Sequence, residues 1–166
     1  MIILGIDPGL AIVGWGVIES VRGDVRPIAY GAITTPAHTN IEDRLLMIQN
    51  DLETVIQTYK PDEMAIEELF FNTNITTGIA VAEARGVILC TAHNLGLKIS
   101  EYTPLQVKQA VVGYGKAEKN QVIAMVTSIL KLPEPPKPDD VADAVAIALC
   151  HGQCSGSAMG KYFNFR

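Results

Sequence analysis

Two acidic residues end apolar stretches of this sequence, where a carboxylate is costly. Asp7 follows the apolar residues 2–6, and Glu67 follows residues 64–66. If both stretches are parallel central strands, their C-terminal ends lie side by side, roughly 4.7–4.9 Å apart. Two carboxylates that close repel each other unless a proton or a cation lies between them. Hard divalent cations prefer oxygen ligands, so the pair is a candidate metal site. The simpler alternative is that each acid only ends a strand that faces water.

A second acidic cluster lies near the end of the chain. Asp140 and Asp143 are three residues apart at the start of a predicted helix, so they share one face. The helix N-terminus favours their ionised forms. Asp139 and Asp143 are four apart and equally co-facial, so periodicity does not choose between Asp139 and Asp140. Capping of the helix by Asp139 or Asp140 is the competing interpretation.

The elements that must position these acids can be read from apolar periodicity. Short apolar or β-branched stretches predict five strands, and apolar residues at helical spacing predict five helices. The first three strands follow each other closely, as in an antiparallel meander, and the fourth follows a helix. This order predicts an α/β layered domain with a mixed sheet. The predicted strands are residues 2–7, 12–20, 25–34, 63–67 and 98–102, and the predicted helices are 41–60, 75–94, 104–112, 117–130 and 141–150.

Composition restricts the class of protein. The chain has 166 residues, 48% of them hydrophobic and 19% charged, which fits one folded domain and excludes intrinsic disorder. No apolar stretch approaches the ~18 residues of a membrane span, and no signal peptide is recognisable. We therefore expect a soluble, cytoplasmic protein without a membrane partner. We expect its domain to cover residues 1–154 and to be followed by a loosely ordered tail at 155–166.

Three cysteines do not suggest a disulfide framework. Cys150, His151 and Cys154 could ligate a metal, but a structural zinc site requires four ligands and no second pair exists. Idle thiols are the favoured interpretation. His38, His93 and His151 are expected on the surface or in structural contacts.

Net charge alone argues against a nucleic-acid partner, since it is −5. The charge is unevenly distributed, however. Residues 98–131 carry five lysines and only two glutamates, so a negative mean conceals a local basic segment. Charge therefore does not decide the partner.

Taken together, the acids and their surroundings resemble one family closely. The stretches ILGIDPG, AIEELF, QVKQAVVGYGKAEKNQV and DDVADAVAIA are similar to those of the RuvC family of Holliday junction resolvases. They occur in the family's order across residues 1–152. The resemblance implies an RNase H-like fold, a five-stranded mixed sheet flanked by helices. It also implies a metal-dependent endonuclease that resolves four-way DNA junctions by paired symmetric nicks in homologous recombination and DNA repair.

The resemblance assigns the acids a role. Asp7, Glu67, Asp140 and Asp143 match the four catalytic and metal-binding positions, and the family pattern D-x-x-D-A-x-A-I-A selects Asp140 over Asp139. The implied cofactor is Mg²⁺, for which Mn²⁺ would substitute, with two ions in each active site. The implied reaction is hydrolysis of a DNA phosphodiester without a Ser, Cys or His nucleophile.

The resemblance also implies DNA contacts. Phe70 matches an aromatic residue that stacks on bases at the junction crossover, with Phe71 as a helper; the alternative is that both rings pack in the core. Lys108, Lys116 and Lys119 are expected to contact phosphates; the alternative is a solvated basic face.

The implied partners are four-way junction DNA and a second copy of the chain. In the family the helix at 75–94 forms the homodimer interface, although packing on its own sheet would explain this helix equally well. A short T-rich cleavage site is expected, and cooperation with a RuvA–RuvB branch-migration complex stays open. Three other functions are compatible with parts of the sequence: an RNase H-like nuclease with another nucleic-acid substrate, a junction-binding protein that does not cleave, and an actin-like ATPase. The length of the chain argues against the ATPase, because such proteins need two lobes.

Overall fold

One mixed sheet of five strands organises the molecule. The computed structural model describes residues 1–69 and 75–155. The sheet order is β3-β2-β1-β4-β5; β1, β2 and β3 are antiparallel, while β4 is parallel to both β1 and β5. The predicted five-stranded mixed sheet is thus confirmed. The strands are β1 (Ile2–Asp7), β2 (Ile12–Val21), β3 (Asp24–Thr34), β4 (Glu63–Glu67) and β5 (Lys98–Tyr102).

Five helices cover the two faces of this sheet. On one face α1 and α2 enclose a core that includes Leu4, Ile6, Ile66 and Ile88. On the other face α3, α4 and α5 enclose a second core that includes Ile3. Their bounds are α1 (Ile41–Tyr59), α2 (Ile75–Asn94), α3 (Pro104–Val112), α4 (Lys119–Ile129) and α5 (Asp139–Ser155).

The helix α5 is the central element of its layer. Its residues from Val141 to Gly152 are almost all buried, because it packs between the sheet and the helices α3 and α4. It is longer than the predicted 141–150. At its start, Asp139 and Asp140 form the first turn. At its end the helix continues through His151, which is buried and hydrogen-bonded.

The predicted C-terminal tail has a slightly different beginning, because Ser155 still belongs to α5. The rest of the tail lies outside the described residues. Within the described part of the chain, none of the helices is both long and apolar enough to cross a bilayer. The cytoplasmic location stays a prediction.

Candidate metal-dependent nuclease site

Two of the predicted site residues lie at one edge of the sheet. The parallel pairing of β1 with β4 places Ile6 opposite Ile66, so the next residues, Asp7 and Glu67, are at neighbouring strand ends. Both acids share a face with Ile3 and Ala65, which belong to the core beneath α5. Asp7 and Glu67 therefore point toward the helix that carries the other two acids.

Glycines in β1 and β2 allow α5 to lie unusually close to the sheet. Gly14 pairs with Asp7 on the neighbouring strand. A Cβ atom built on Gly14 would lie only 2.0 Å from the carbonyl oxygen of Asp140. Cβ atoms on Gly5 and Gly16 would similarly collide with Ala144 and Val145. The first turn of α5 thus rests directly on the strand next to Asp7. Sequence reasoning missed these glycines, although their spacing on one face of two strands was a usable signal.

This packing of α5 on the sheet distinguishes Asp140 from Asp139, between which helical periodicity could not choose. Asp140 is half-buried, and its charge acts on Asp7. Asp139 is exposed, and its Oδ2 lies 3.7 Å from Lys119 Nζ. Asp139 is not among the charges that perturb Asp7. The structure therefore brings together the four acids that the resemblance selected and leaves Asp139 at the rim.

The crowding of the acids changes their protonation. Burial raises the pKa of Asp7 to about 8, and the nearby carboxylates of Glu67, Asp143 and Asp140 add to the effect. Burial also raises the pKa of Glu67, again assisted by Asp143. For Asp143, burial raises the pKa more than the hydrogen bond with Lys119 lowers it. A protonated acid at neutral pH is the expected response of a carboxylate cluster that lacks sufficient positive charge.

Two of the predicted DNA-binding lysines, Lys108 and Lys119, line the same pocket as Glu67 and Asp143. Lys119 Nζ is 2.9 Å from Asp143 Oδ2. Burial acts to lower the pKa of Lys119, but the hydrogen bond and charge of Asp143 outweigh it and leave that pKa raised. The charge of Lys108 reaches Glu67. The residues that line the pocket are Glu67, Pro104, Val107, Lys108, Lys119, Val122, Asp143 and Ile147.

The remaining predicted DNA contacts are placed differently. Lys116 is exposed in the turn between α3 and α4, outside the lining of the pocket. Phe70 and Phe71 lie outside the described residues. Their roles stay predictions.

The chemistry of these donors fits a hard divalent cation. Carboxylates from β1, β4 and α5 lie near one another, and burial, with the charges of the neighbouring acids, raises the pKa of Asp7, Glu67 and Asp143. Within the described ranges, no three His, Cys, Asp or Glu side chains are yet close enough to hold one ion together. Asp143 is instead paired with Lys119.

Histidines and cysteines do not contribute to this site. His38 and His93 are exposed, whereas His151 is buried and hydrogen-bonded to Tyr102 and Glu63. Cys150 and Cys154 lie near the C-terminal end of α5, one helical turn apart, and Cys150 is buried.

Comparison with known proteins decides the family. The family model described as crossover junction endodeoxyribonuclease RuvC matches residues 3–151. The chain belongs to the RuvC family. It is 59% identical over 152 residues to the crossover junction endodeoxyribonuclease RuvC of Clostridioides difficile (strain 630), covering 91% of this chain and 89% of the relative. The RuvC of Heliobacterium modesticaldum is 59% identical over 150 residues, or 90% of this chain and 93% of the relative.

A solved structure of this family agrees with the fold. Thermus thermophilus RuvC, in complex with a Holliday junction substrate, matches with a TM-score of 0.90 and 35% identity. The match covers 96% of this chain and 97% of the other. The predicted RNase H-like fold and the predicted enzyme class, a metal-dependent endodeoxyribonuclease, are confirmed. Membership in this family also excludes the actin-like ATPase.

Proposed function

We propose that this protein cleaves four-way DNA junctions at two symmetry-related positions, using Mg²⁺ held by Asp7, Glu67, Asp140 and Asp143. The observation that carries the proposal is the convergence of these four acids beside the RuvC-type sheet edge. The junction as substrate is supported by the match to a RuvC structure in complex with a Holliday junction. Two ions per site, with Mn²⁺ as a substitute, are part of the proposal.

The four acids would hold and orient the divalent ions. Burial raises the pKa of Asp7 to about 8, so this side chain would have to lose its proton to ligate a cation near neutral pH. When bound, the ions would supply Lewis acidity for activating water and stabilising the leaving 3′ oxygen. Apolar Val107, Val122 and Ile147 line the pocket beside the charged groups.

The lysines serve the phosphates. Lys108 and Lys119 face the same pocket as Glu67 and Asp143. Lys119 is held by Asp143 in the free protein, so an incoming phosphodiester competes with that carboxylate for its ammonium group. Lys116 extends this proposed DNA-binding surface beyond the pocket. Phe70, with Phe71 as a helper, is proposed from the family resemblance to stack on bases at the crossover.

A test compares substrates in one assay. A synthetic mobile four-way junction is incubated with and without Mg²⁺, beside a linear duplex and an RNA–DNA hybrid. We expect paired, ligatable nicks on the junction alone and only with metal. Cleavage of the hybrid instead would assign the protein to another nuclease activity, and binding without cleavage would make it a junction-binding protein. Mapping the cuts on junctions of varied crossover sequence tests the T-rich preference, which uniform cutting would contradict.

The variant Asp7→Asn tests the metal-site assignment. It keeps the shape of the side chain but removes the charge that a cation requires. We expect it to bind junctions as the wild type does and to cut none of them. Cutting at the wild-type rate would show that the acids were assigned wrongly.

Paired cuts require two active sites, and we propose that α2 supplies the dimer interface. Its residues Ile79, Glu83, Gly86 and Cys90 form an exposed stripe at helical spacing, and Ile79 is 54% exposed. A homodimer with two-fold symmetry would present two equivalent sites to a four-way junction. Cooperation with a RuvA–RuvB complex stays a prediction.

Gly86 offers a clean test of this interface. A Cβ built there meets no atom of the described residues within 4 Å, so the protomer tolerates a side chain. We expect Gly86→Trp to fold but to sediment as a monomer. The control Ser128→Trp, at an exposed position of α4, should sediment as a dimer. A dimeric Gly86→Trp variant would place the interface elsewhere.

A further inference from the structure

The side chain of Arg85 connects α2 to the main chain of a proposed metal ligand. Arg85 Nε donates a hydrogen bond to the carbonyl oxygen of Glu67 at 3.3 Å. Its second guanidinium nitrogen, Nη2, lies 2.5 Å from Oε2 of Glu101 on β5. Only 14% of the Arg85 side chain is exposed, so its contact with the Glu67 carbonyl is partly buried, whereas the Glu101 side chain is 36% exposed and the ion pair reaches the surface. One planar group therefore joins three elements: α2, β4 and β5.

Glu67 lies where the sheet ceases to restrain β4 on one side. The register with β1 ends at Ile66, whereas pairing with β5 continues to Tyr102. One residue further, the backbone N–H of Glu68 donates to the carbonyl of Tyr102 at 2.9 Å. Beyond Ile66 the chain is thus held by β5 and by Arg85. A shift of the backbone here would redirect the Glu67 carboxylate, which must keep its geometry relative to Asp7.

The contact acts on the backbone of Glu67 rather than on the charge of its carboxylate. The charges that perturb the Glu67 carboxyl are those of Asp143, Lys108 and Lys119, and Arg85 is not among them. The positive charge of Arg85 is matched by Glu101, which lies on the α2 face of the sheet, opposite to Asp7 and Glu67. A guanidinium can serve a carbonyl and a carboxylate at once with fixed geometry, which a lysine ammonium does less well.

We propose that Arg85 is a positioning residue, which fixes the main chain at Glu67 so that its carboxylate is directed into the metal site. The proposal rests on the proposed function, because it concerns the same acids. It also gives α2 a second role, since the helix with the proposed dimer stripe touches the catalytic strand through this side chain. Outer contacts that orient metal ligands commonly change metal affinity or activity about 10–100-fold when they are removed.

The test uses graded variants in the full-length chain. Arg85→Met removes both contacts but keeps an unbranched apolar chain, Arg85→Lys keeps a charge for Glu101, and Glu101→Gln weakens the ion pair while leaving the bond to Glu67. Arg26→Met is the matched control, because it removes an arginine–glutamate pair with Glu19 at the other end of the sheet. Mn²⁺ binding is measured by calorimetry without DNA, and thermal unfolding checks that each variant is folded.

Arg85→Met is expected to weaken Mn²⁺ binding and to lower kcat on saturating junction, each about 10-fold or more. Junction affinity in EDTA should stay within about twofold of the wild type, because Arg85 faces away from the pocket. Arg85→Lys and Glu101→Gln should lie between Arg85→Met and the wild type, and Arg26→Met should match the wild type. If Arg85→Met is not folded at the assay temperature, Arg85→Lys and Glu101→Gln give the answer.

Two results would overturn the positioning role. One is a folded Arg85→Met or Arg85→Lys variant with wild-type Mn²⁺ affinity and kcat. The other is an equal loss in Arg26→Met, which would show a general effect of stability. A wild-type protein that binds Mn²⁺ but cuts no junction would contradict the proposed function alone, since calorimetry would still decide the role of Arg85.

Discussion

Glu63 and Glu67 stand at opposite ends of β4 and point to the same face of the sheet, yet their surroundings differ. Glu63 has a partner on each oxygen: Oε2 lies 2.7 Å from His151 Nε2, and Oε1 lies 3.3 Å from Lys98 Nζ. Glu67 instead faces Asp143, and burial with that like charge raises its pKa. At the Glu63 end of β4 the carboxylate is paired with nearby side chains, whereas at the Glu67 end it lies close to another carboxylate.

One partner of Glu63, the buried His151, continues a chain of hydrogen bonds to Tyr102. Burial lowers the pKa of His151 despite the opposing charge of Glu63, so the ring is neutral near pH 7. A neutral ring that donates from Nε2 to Glu63 must accept at Nδ1, and the Tyr102 hydroxyl donates there at 2.8 Å. This chain ties β4, β5 and the end of α5 together. The two ends of β4 thus differ in a way that fits their roles. Glu63, which stabilises the fold, has hydrogen-bonding and charged partners within the protein, whereas Glu67, a proposed metal ligand, faces another carboxylate.

The largest contrast is expected in cleavage. Glu67→Gln removes a proposed metal ligand and should slow junction cutting at least ~10³-fold, equivalent to about 4 kcal/mol of transition-state stabilisation. Glu63→Gln should cut at nearly the wild-type rate below its unfolding temperature. Single-turnover cleavage of the junction measures the rate of each variant. Similar losses of rate in Glu63→Gln and Glu67→Gln would contradict the proposed difference between the two ends of β4.

The next contrast concerns stability in EDTA. The folded pKa of Asp7, about 8, lies above its unfolded value, so the folded state binds more protons between these values. Stability therefore falls as pH rises from about 4 to about 8, by up to ~1.4 kcal/mol per pH unit. Asp7→Asn should remove this loss. The free energy of unfolding of the variant should then exceed that of the wild type by up to ~5 kcal/mol at pH 8, and by less at pH 5. Urea unfolding at both pH values tests this, and a pH-independent difference would contradict it.

Removing the charge of Glu63 should change stability in the opposite direction to Asp7→Asn. Glu63→Gln keeps the shape of the side chain but weakens its contacts with buried His151, so it should destabilise the protein by ~1–3 kcal/mol. The loss should appear in urea unfolding at pH 7, with the same denaturant slope as the wild type. A variant as stable as the wild type would show that His151 and Glu63 are not energetically coupled.

The smallest effect is expected at the exposed partner. The Lys98 side chain is 65% exposed in its pair with Glu63, and surface ion pairs contribute ~0–1 kcal/mol. Lys98→Met should thus cost less than 1 kcal/mol at low salt. A loss equal to that of Glu63→Gln would mean that Lys98, rather than His151, is the main partner.

Much of this arrangement could be predicted from the sequence. The bounds of β1, β4, β5, α2 and α3 follow from apolar runs, from helical spacing and from turn residues. Asp7 and Glu67 could be placed at strand ends because charge ends an apolar stretch abruptly. These are local signals, which periodicity and side-chain chemistry record directly.

The rest depends on contacts between distant parts of the chain. The sequence segment EMAIE carries Glu63 and Glu67 symmetrically, and nothing local shows that His151 satisfies only the first. Periodicity alone could not choose between Asp139 and Asp140, and the family pattern made that choice; the packing of α5 on Gly14, 126 residues earlier in the chain, is the contact that places Asp140 near Asp7. The contact of Lys119 with Asp143 was likewise not predicted, because a lysine in a basic segment suggests DNA rather than an acidic partner.

The position of α5 also sets the order in which the acidic cluster assembles. Asp7 and Glu67 are synthesised before Asp140 and Asp143, which belong to α5, the last helix of the described chain. That helix also covers β1 and β2, so the sheet face beneath it has no cover until α5 has been made. A nascent chain with all five strands but without α5 therefore carries Asp7 and Glu67 alone, and the proposed metal site forms only when α5 packs on the sheet.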